Sequence, residues 1–194
     1  MKEAKIWLVL ATSAALLFAS CSTSSTGTRP VNAPRGPSST SGYESKSRQK
    51  SPLPTFSGRV VSIEDGDSIV ILDAANRTHK IRLQGIDAPE GGQAFGNRSR
   101  QNLSDEVFDK EVAIEWSKRD RYGRIVGKVL LDGRDVCLEQ VRTGMAWHYK
   151  YYQAEQNPED RTLYADAEDQ ARATRRGLWT DANPTPPWTF RQGR

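Results

Sequence analysis

The sequence predicts an α+β fold, mainly β: a small five-stranded barrel with about three packed helices. Five short runs of β-branched or alternating residues lie between positions 57 and 131. Asp-Gly follows the first run and the fifth, a strong hairpin signal. Stretches of helical spacing fall between the third and fourth runs and after the fifth. Five strands with three helices in about 140 residues is the count of a small closed barrel.

Ahead of this region, Lys2 and Lys5 precede an apolar run from Ile6 to Phe18. That run is too short for a comfortable membrane span but suits the apolar centre of a signal peptide. The segment FASC at 18–21 resembles a bacterial lipoprotein processing site, with Phe18 where Leu is more usual. The resemblance makes Cys21 the lipidated first residue of the mature chain; an ordinary secretory cleavage nearby is the alternative. Residues 22–54 hold nine Ser, four Thr, three Gly and five Pro, and Tyr43 is their one aromatic. Such a segment cannot build a core and is expected to be a disordered tether, spanning on the order of 30 Å. Residues 55–194 are left as the folded domain.

In that domain SGRVVSIE (57–64), SIVILD (68–73) and THKIRLQ (78–84) read as the first three strands. Gly91-Gly92 breaks the chain before a helix over 94–109, spaced by Phe95, Leu103, Val107 and Phe108. In 111–117, Val112, Ile114 and Trp116 share a face of the fourth strand, and Tyr122-Gly123 turns into the fifth, 124–131. Asp135 caps a helix carrying Val136, Leu138, Val141 and Met145, with Gly144 as its stop. WHYKYYQ (147–153) is expected to be extended or turning. Asn157-Pro158 opens a last helix, acidic at its start and rich in arginine towards its end at Gly177.

Charge and cysteine usage exclude several functions. The chain carries net +4, but residues 22–55 alone hold five basic residues and one acid, and residues 56–194 hold 21 basic against 22 acidic. Polyanion binding by bulk charge is therefore not expected of the domain, whereas the basic tether suits an anionic membrane surface. With Cys21 lipidated, only Cys137 remains, among Val136, Leu138 and Val141, where it reads as a small core residue rather than a nucleophile. His79 and His148 share no ligand spacing, which argues against zinc or a triad.

The chemistry-bearing residues cluster around RLQGIDAPE (82–90), which supplies Arg82, Asp87 and Glu90. DGDS (65–68) and DRYGR (120–124) add further acids, a hydroxyl and Arg124. Each motif alone is an ordinary turn. Together they suit a phosphodiester, with acids for a metal ion and arginines for the charge on phosphorus.

VVSIEDGDSIVI, IRLQGIDAPE, DRYGRIVGKV, GMAW and GLW, in this order over roughly residues 56–180, resemble the staphylococcal (micrococcal) nuclease-like family. The trailing PPWTFR (186–191) is similar to the tail of many bacterial members. The resemblance implies an OB-type barrel and calcium-dependent hydrolysis of DNA and RNA to 3′-phosphate ends. It implies that Asp67, Asp87 and the carbonyl of Ala88 bind Ca2+, with Asp65 and Ser68 orienting ligands and waters. Ala88 stands where threonine is frequent, and only its carbonyl is needed. Glu90 matches the glutamate that holds a water and is commonly assigned as general base; Arg82 and Arg124 match the phosphate-gripping pair. Tyr122 matches a tyrosine lying against the nucleotide, and Tyr149 and Tyr151 are further stacking candidates, core packing being the alternative for both. The segment after Glu90 is short, so a basic substrate-contacting loop of the secreted archetype is absent.

The leading expectation is a lipid-anchored, monomeric nuclease of the bacterial cell envelope, periplasmic or on the cell surface. No protein partner is readable. The alternative is a non-catalytic OB-type module that binds nucleic acid or protein. Relatives of that kind lose the acids and arginines, whereas Asp67, Arg82, Asp87, Glu90 and Arg124 are all present here.

Overall fold

The structure, a computed structural model, describes residues 53–193. The signal peptide expected over 1–21, the lipidation expected at Cys21 and the part of the expected tether up to residue 52 lie outside the described residues.

The barrel is built from β1 (Thr55–Asp65), β2 (Ser68–Leu72), β3 (Thr78–Leu83), β5 (Glu111–Arg119) and β6 (Ile125–Leu131). β1 to β3 form an antiparallel meander, β5 pairs with β1, and β6 pairs with β5. A parallel contact of β3 with β6, Ile81 opposite Ile125, closes the circuit. The expected five-stranded OB-type barrel is therefore present, mainly β with helices around it. Inward positions alternate as a half-buried strand requires: Ile125, Gly127, Val129 and Leu131 of β6 are buried. Irregular register between Val60 and Ser62 and between Ile63 and Asp65 bends β1 so that it serves both neighbours.

Three two-residue strands complete the sheets: β4 (Ile86–Asp87), β7 (Arg134–Asp135) and β8 (Trp147–His148). β4 pairs with β8, which fixes the end of the Asp87 loop against the start of the aromatic segment.

α1 (Gly96–Val107) is shorter than the expected 94–109. Phe95 precedes it in a left-handed conformation and packs on a separate aromatic cluster, while Phe108 is half exposed. The buried face of α1 is Ser99, Leu103 and Val107, spaced four apart. α2 (Val136–Arg142) starts as expected, with Asp135 Oδ1 accepting from the Leu138 N–H at 3.0 Å. α3 (Pro158–Ala173) is capped by Asn157 but ends before Gly177, where Arg175 turns left-handed. Beyond β8, residues 150–155 form a 3-10 turn rather than extended chain. A fourth helix not expected from the sequence, α4 (Pro187–Gln192), lies near the C-terminus.

The main core fills the barrel and the space beneath α1, α2 and α3; it includes Ile69, Ile71, Ile81, Leu83, Ile114 and Val129. Cys137 belongs to it, fully buried, and burial pushes its thiol well up, as suits a packing residue and not a nucleophile. A second cluster joins Trp147, Ala171, Leu178 and Trp179, with Phe95 and Trp188 against it.

Candidate active site

The turn between β1 and β2 brings Asp65, Asp67 and Ser68 to the rim. The Asp67 N–H donates to Asp65 Oδ1 at 3.0 Å, and Ser68 Oγ donates to Asp67 Oδ1 at 3.1 Å. The other Asp67 oxygen accepts from the Ala88 N–H at 2.6 Å, tying this turn to the loop after β4. Gly66 permits that approach: a Cβ there would collide with the Ser99 side chain and come within 2.8 Å of Ala88 Cβ.

Arg82 joins the two acids. Its Nη2 lies 3.1 Å from Asp67 Oδ2 and 2.9 Å from Asp87 Oδ1, so both carboxylates converge on one atom. Asp67 and Asp87 are buried, 5% and 1% exposed. Burial pushes the Asp67 carboxyl up to about 8, against the pull of Arg82 and the Ala88 N–H.

The second arginine arrives from the β5–β6 turn. Asp120 organises that turn by accepting the Tyr122 and Arg124 N–H groups and the Arg124 Nε, the last at 2.8 Å. Arg124 Nη1 then donates to Ser68 Oγ at 3.2 Å. Ser68 is also the cross-strand partner of Arg82. Barrel closure therefore sets both arginines beside one hydroxyl, at the edge of the two-aspartate cluster.

Glu90 stands on the far side of Asp87. It is joined to that aspartate through a residue the sequence argument did not single out, Arg191 of α4. Arg191 Nη2 lies 2.8 Å from Asp87 Oδ2, and its Nη1 lies 2.7 Å from Glu90 Oε1. The Glu90 N–H donates to Gln93 Oε1 at 3.2 Å.

Behind the site is a buried amide, Gln140 of α2, also missed from the sequence. Its Nε2 donates to the Gly66 carbonyl at 2.7 Å and to the Ser99 carbonyl at 3.3 Å, while its Oε1 accepts from Asn102. Its position inside an amphipathic helix carried no signal of this role. For Arg191 the one available signal was the family likeness of the PPWTFR tail.

The tyrosines divide. Tyr122 is 73% exposed, with the guanidinium carbons of Arg121 and Arg124 at 5.4 and 5.7 Å from its ring centroid. Tyr151 is 79% exposed. Tyr149 is stacked on Trp188 at 5.5 Å and 15°, so that ring face is occupied by the chain itself.

Among the described residues no three His, Cys, Asp or Glu side chains are gathered as a metal cluster. The donors that do converge are two buried carboxylates with the main chain of Ala88 beside them. An all-oxygen set of this kind fits calcium, which completes its shell with carbonyl and water oxygens.

Comparison with known proteins identifies the family. The family described as staphylococcal nuclease homologue matches residues 80–181. A Shigella flexneri protein named "Micrococcal nuclease" is 42% identical over 146 residues, covering 71% of this chain and 81% of that protein. An "Uncharacterized endonuclease" of Haemophilus influenzae is 41% identical over 134 residues, covering 69% of this chain and 72% of the other. A protein of the same description from Escherichia coli is 41% identical over 135 residues, covering 69% and 84%. This chain belongs to the family of staphylococcal nuclease homologues.

Proposed function

We propose that this chain is a calcium-dependent endonuclease that hydrolyses DNA and RNA to 3′-phosphate ends, from a lipid anchor outside the cytoplasm. Family membership makes it a hydrolase of the micrococcal nuclease type acting on nucleic acid. The observation that supports the finer reading is the convergence of Asp67 and Asp87 on Arg82, with Ser68 joining Asp67 to Arg124 at the same barrel rim.

In this reading Asp67, Asp87 and the Ala88 carbonyl hold calcium, which supplies Lewis-acid stabilisation of the phosphate when bound. Arg82 and Arg124 bond phosphoryl oxygens, whose charge grows as the phosphorus is attacked. Glu90 holds the attacking water by a hydrogen bond and takes its proton. Attack in line breaks the bond from phosphorus to the 5′ oxygen, which leaves as a hydroxyl by taking a proton from solvent, and the phosphate stays on the 3′ side. Asp65 holds the Asp67 main chain by accepting its N–H, and Ser68 orients the Asp67 carboxylate by donating to it. Tyr122 and Tyr151 offer exposed rings for bases, since stacking tolerates any base.

The test compares cleavage of single-stranded and duplex DNA and of RNA in millimolar calcium with cleavage in excess chelator. Products with 3′-phosphate, formed only with calcium, support the reading. Binding without cleavage at any calcium level would replace it with a non-catalytic module. Anchoring is tested separately: Cys21→Ala should abolish incorporation of labelled palmitate and release the domain from membranes.

A further inference from the structure

The C-terminal segment enters the active site, and the proposed mechanism gives it no task. Arg191 is 104 residues from Asp87 in sequence, yet its guanidinium spans Asp87 and Glu90. Besides the two ion pairs already given, Nη1 lies 3.2 Å from Asp87 Oδ1, so the planar group addresses both oxygens of Asp87 and one of Glu90. Arg82 already holds Asp87 from the barrel side. Asp87 is thus clamped between two guanidinium groups, one from β3 and one from α4.

The placement is built rather than incidental. Trp188, three residues before Arg191, stacks on Tyr149 and meets Trp147 edge to face at 5.4 Å. Gln93 couples the segment to the Glu90 loop: its Oε1 accepts the Glu90 N–H, and its Nε2 donates to the Thr185 carbonyl. A solvated surface ion pair contributes little and needs no such support. Here one partner, the Asp87 side chain, is 1% exposed, and the fork is bidentate, the arrangement in which arginine differs most from lysine.

We propose that Arg191 is a positioning residue of the active site: it fixes the Glu90 carboxylate for its water and shares Asp87 with the divalent cation. This rests on the nuclease reading above. Two consequences point in opposite directions. Without Arg191, Glu90 loses its charged partner, so the chemical step slows. A positive charge beside the cation's ligand is also removed, so calcium binds more tightly. Unfolding or loosening of the tail would weaken both together.

The experiment uses the full chain in detergent, as wild type, Arg191→Ala and Arg191→Lys. Calcium is titrated calorimetrically without nucleic acid, and cleavage of single-stranded DNA is followed at saturating calcium. For Arg191→Ala we expect kcat to fall at least about tenfold with KM within about twofold. Its calcium dissociation constant should fall several-fold, roughly what one unit charge a few ångströms away supplies in a solvated site. Arg191→Lys should return the calcium affinity towards wild type but leave kcat low, because an ammonium cannot span both carboxylates. Unchanged kcat and calcium affinity in Arg191→Ala would overturn the proposal. So would weaker calcium binding with a lower melting temperature, which marks a merely structural role. A rise in kcat would also overturn it, identifying the segment as a plug. A wild type that neither binds calcium nor cleaves would sink the nuclease reading itself, so the two failures are distinguishable.

Discussion

Gln140 Nε2 donates to the carbonyl of Gly66 at 2.7 Å, across 74 residues of sequence. The bond fixes the turn that carries Asp65, Asp67 and Ser68 to the body of α2. Gln140 is fully buried. Gln140→Leu keeps the volume but leaves the Gly66 and Ser99 carbonyls and the Asn102 amide short of a partner. A buried polar group left unpaired costs about 1–3 kcal/mol, so urea denaturation should show a loss in that range. The calcium affinity of the variant should drop as well, because the ligand turn is no longer held. Loss of stability with unchanged calcium binding would show that the turn does not depend on this bond.

Gly66 itself is constrained from the other side. A Cβ would meet the Ser99 side chain and lie 2.8 Å from Ala88 Cβ. Gly66→Ala must therefore push α1 or the Ala88 loop outward, at about 1–3 kcal/mol for overpacking of a filled site. Adding Ser99→Gly should recover part of that loss, because the colliding atoms are removed. A double-mutant cycle on melting temperature measures the coupling, and strict additivity would refute it.

The locally encoded parts of the molecule were legible in the sequence. The Asp120 turn, the Asp135 and Asn157 caps and the alternation of β6 each depend on residues within a few positions of one another. Asp67, Arg82, Asp87 and Arg124 were legible as a set because a family likeness joined motifs that are individually ordinary. Phe95 and Phe108 fit a helical period, but one is held in a left-handed turn and the other faces solvent, since periodicity does not say where a helix begins. The contacts that Gln140 and Arg191 make were illegible for a different reason. Their partners are 74 and 104 residues away, and neither side chain stands out among its neighbours.

Glu90→Gln and Arg124→Lys separate chemistry from stability. Glu90 is partly exposed, and the amide keeps its shape, so folding should change by less than about 1 kcal/mol. Loss of the carboxylate should nonetheless lower kcat by about 10²–10⁴, the range for a positioned general base. Arg124→Lys keeps the charge beside Asp120 but loses the planar donor pair, and kcat/KM should fall by about 10²–10³. Near-normal turnover in both would overturn the assigned roles.

His148 gives the domain a pH-sensitive joint. It is buried, its Nε2 lies 2.9 Å from Gln156 Oε1, and its Nδ1 has no partner among the described residues. Burial holds its pKa below the ordinary histidine value, with Gln156 and Glu168 pulling the other way and Lys150 adding to the depression. A depressed folded-state pKa contributes stability above the unfolded value of about 6.5, lost as pH falls through the folded one. The urea midpoint should therefore decline from pH 7 to pH 5. In His148→Gln that slope should flatten, with a lower midpoint at pH 7; an equal slope in both proteins would assign the effect to other groups.

Arg82→Ala tests how far the two buried aspartates depend on one shared positive charge. The Arg82, Asp67 and Asp87 side chains are 14%, 7% and 1% exposed, so removing the guanidinium leaves two buried acidic side chains without the positive group they share. Breaking a buried ion pair costs about 3–5 kcal/mol, and Arg191, still on Asp87, sets the expected loss near the lower end. In the proposed reading calcium would restore a positive charge at the same oxygens and would bind the folded state alone. Excess calcium should therefore recover most of the lost melting temperature, by mass action. Turnover should stay orders of magnitude below wild type, because the phosphate still lacks its arginine. A variant that calcium fails to stabilise would show that Asp67 and Asp87 do not hold the cation.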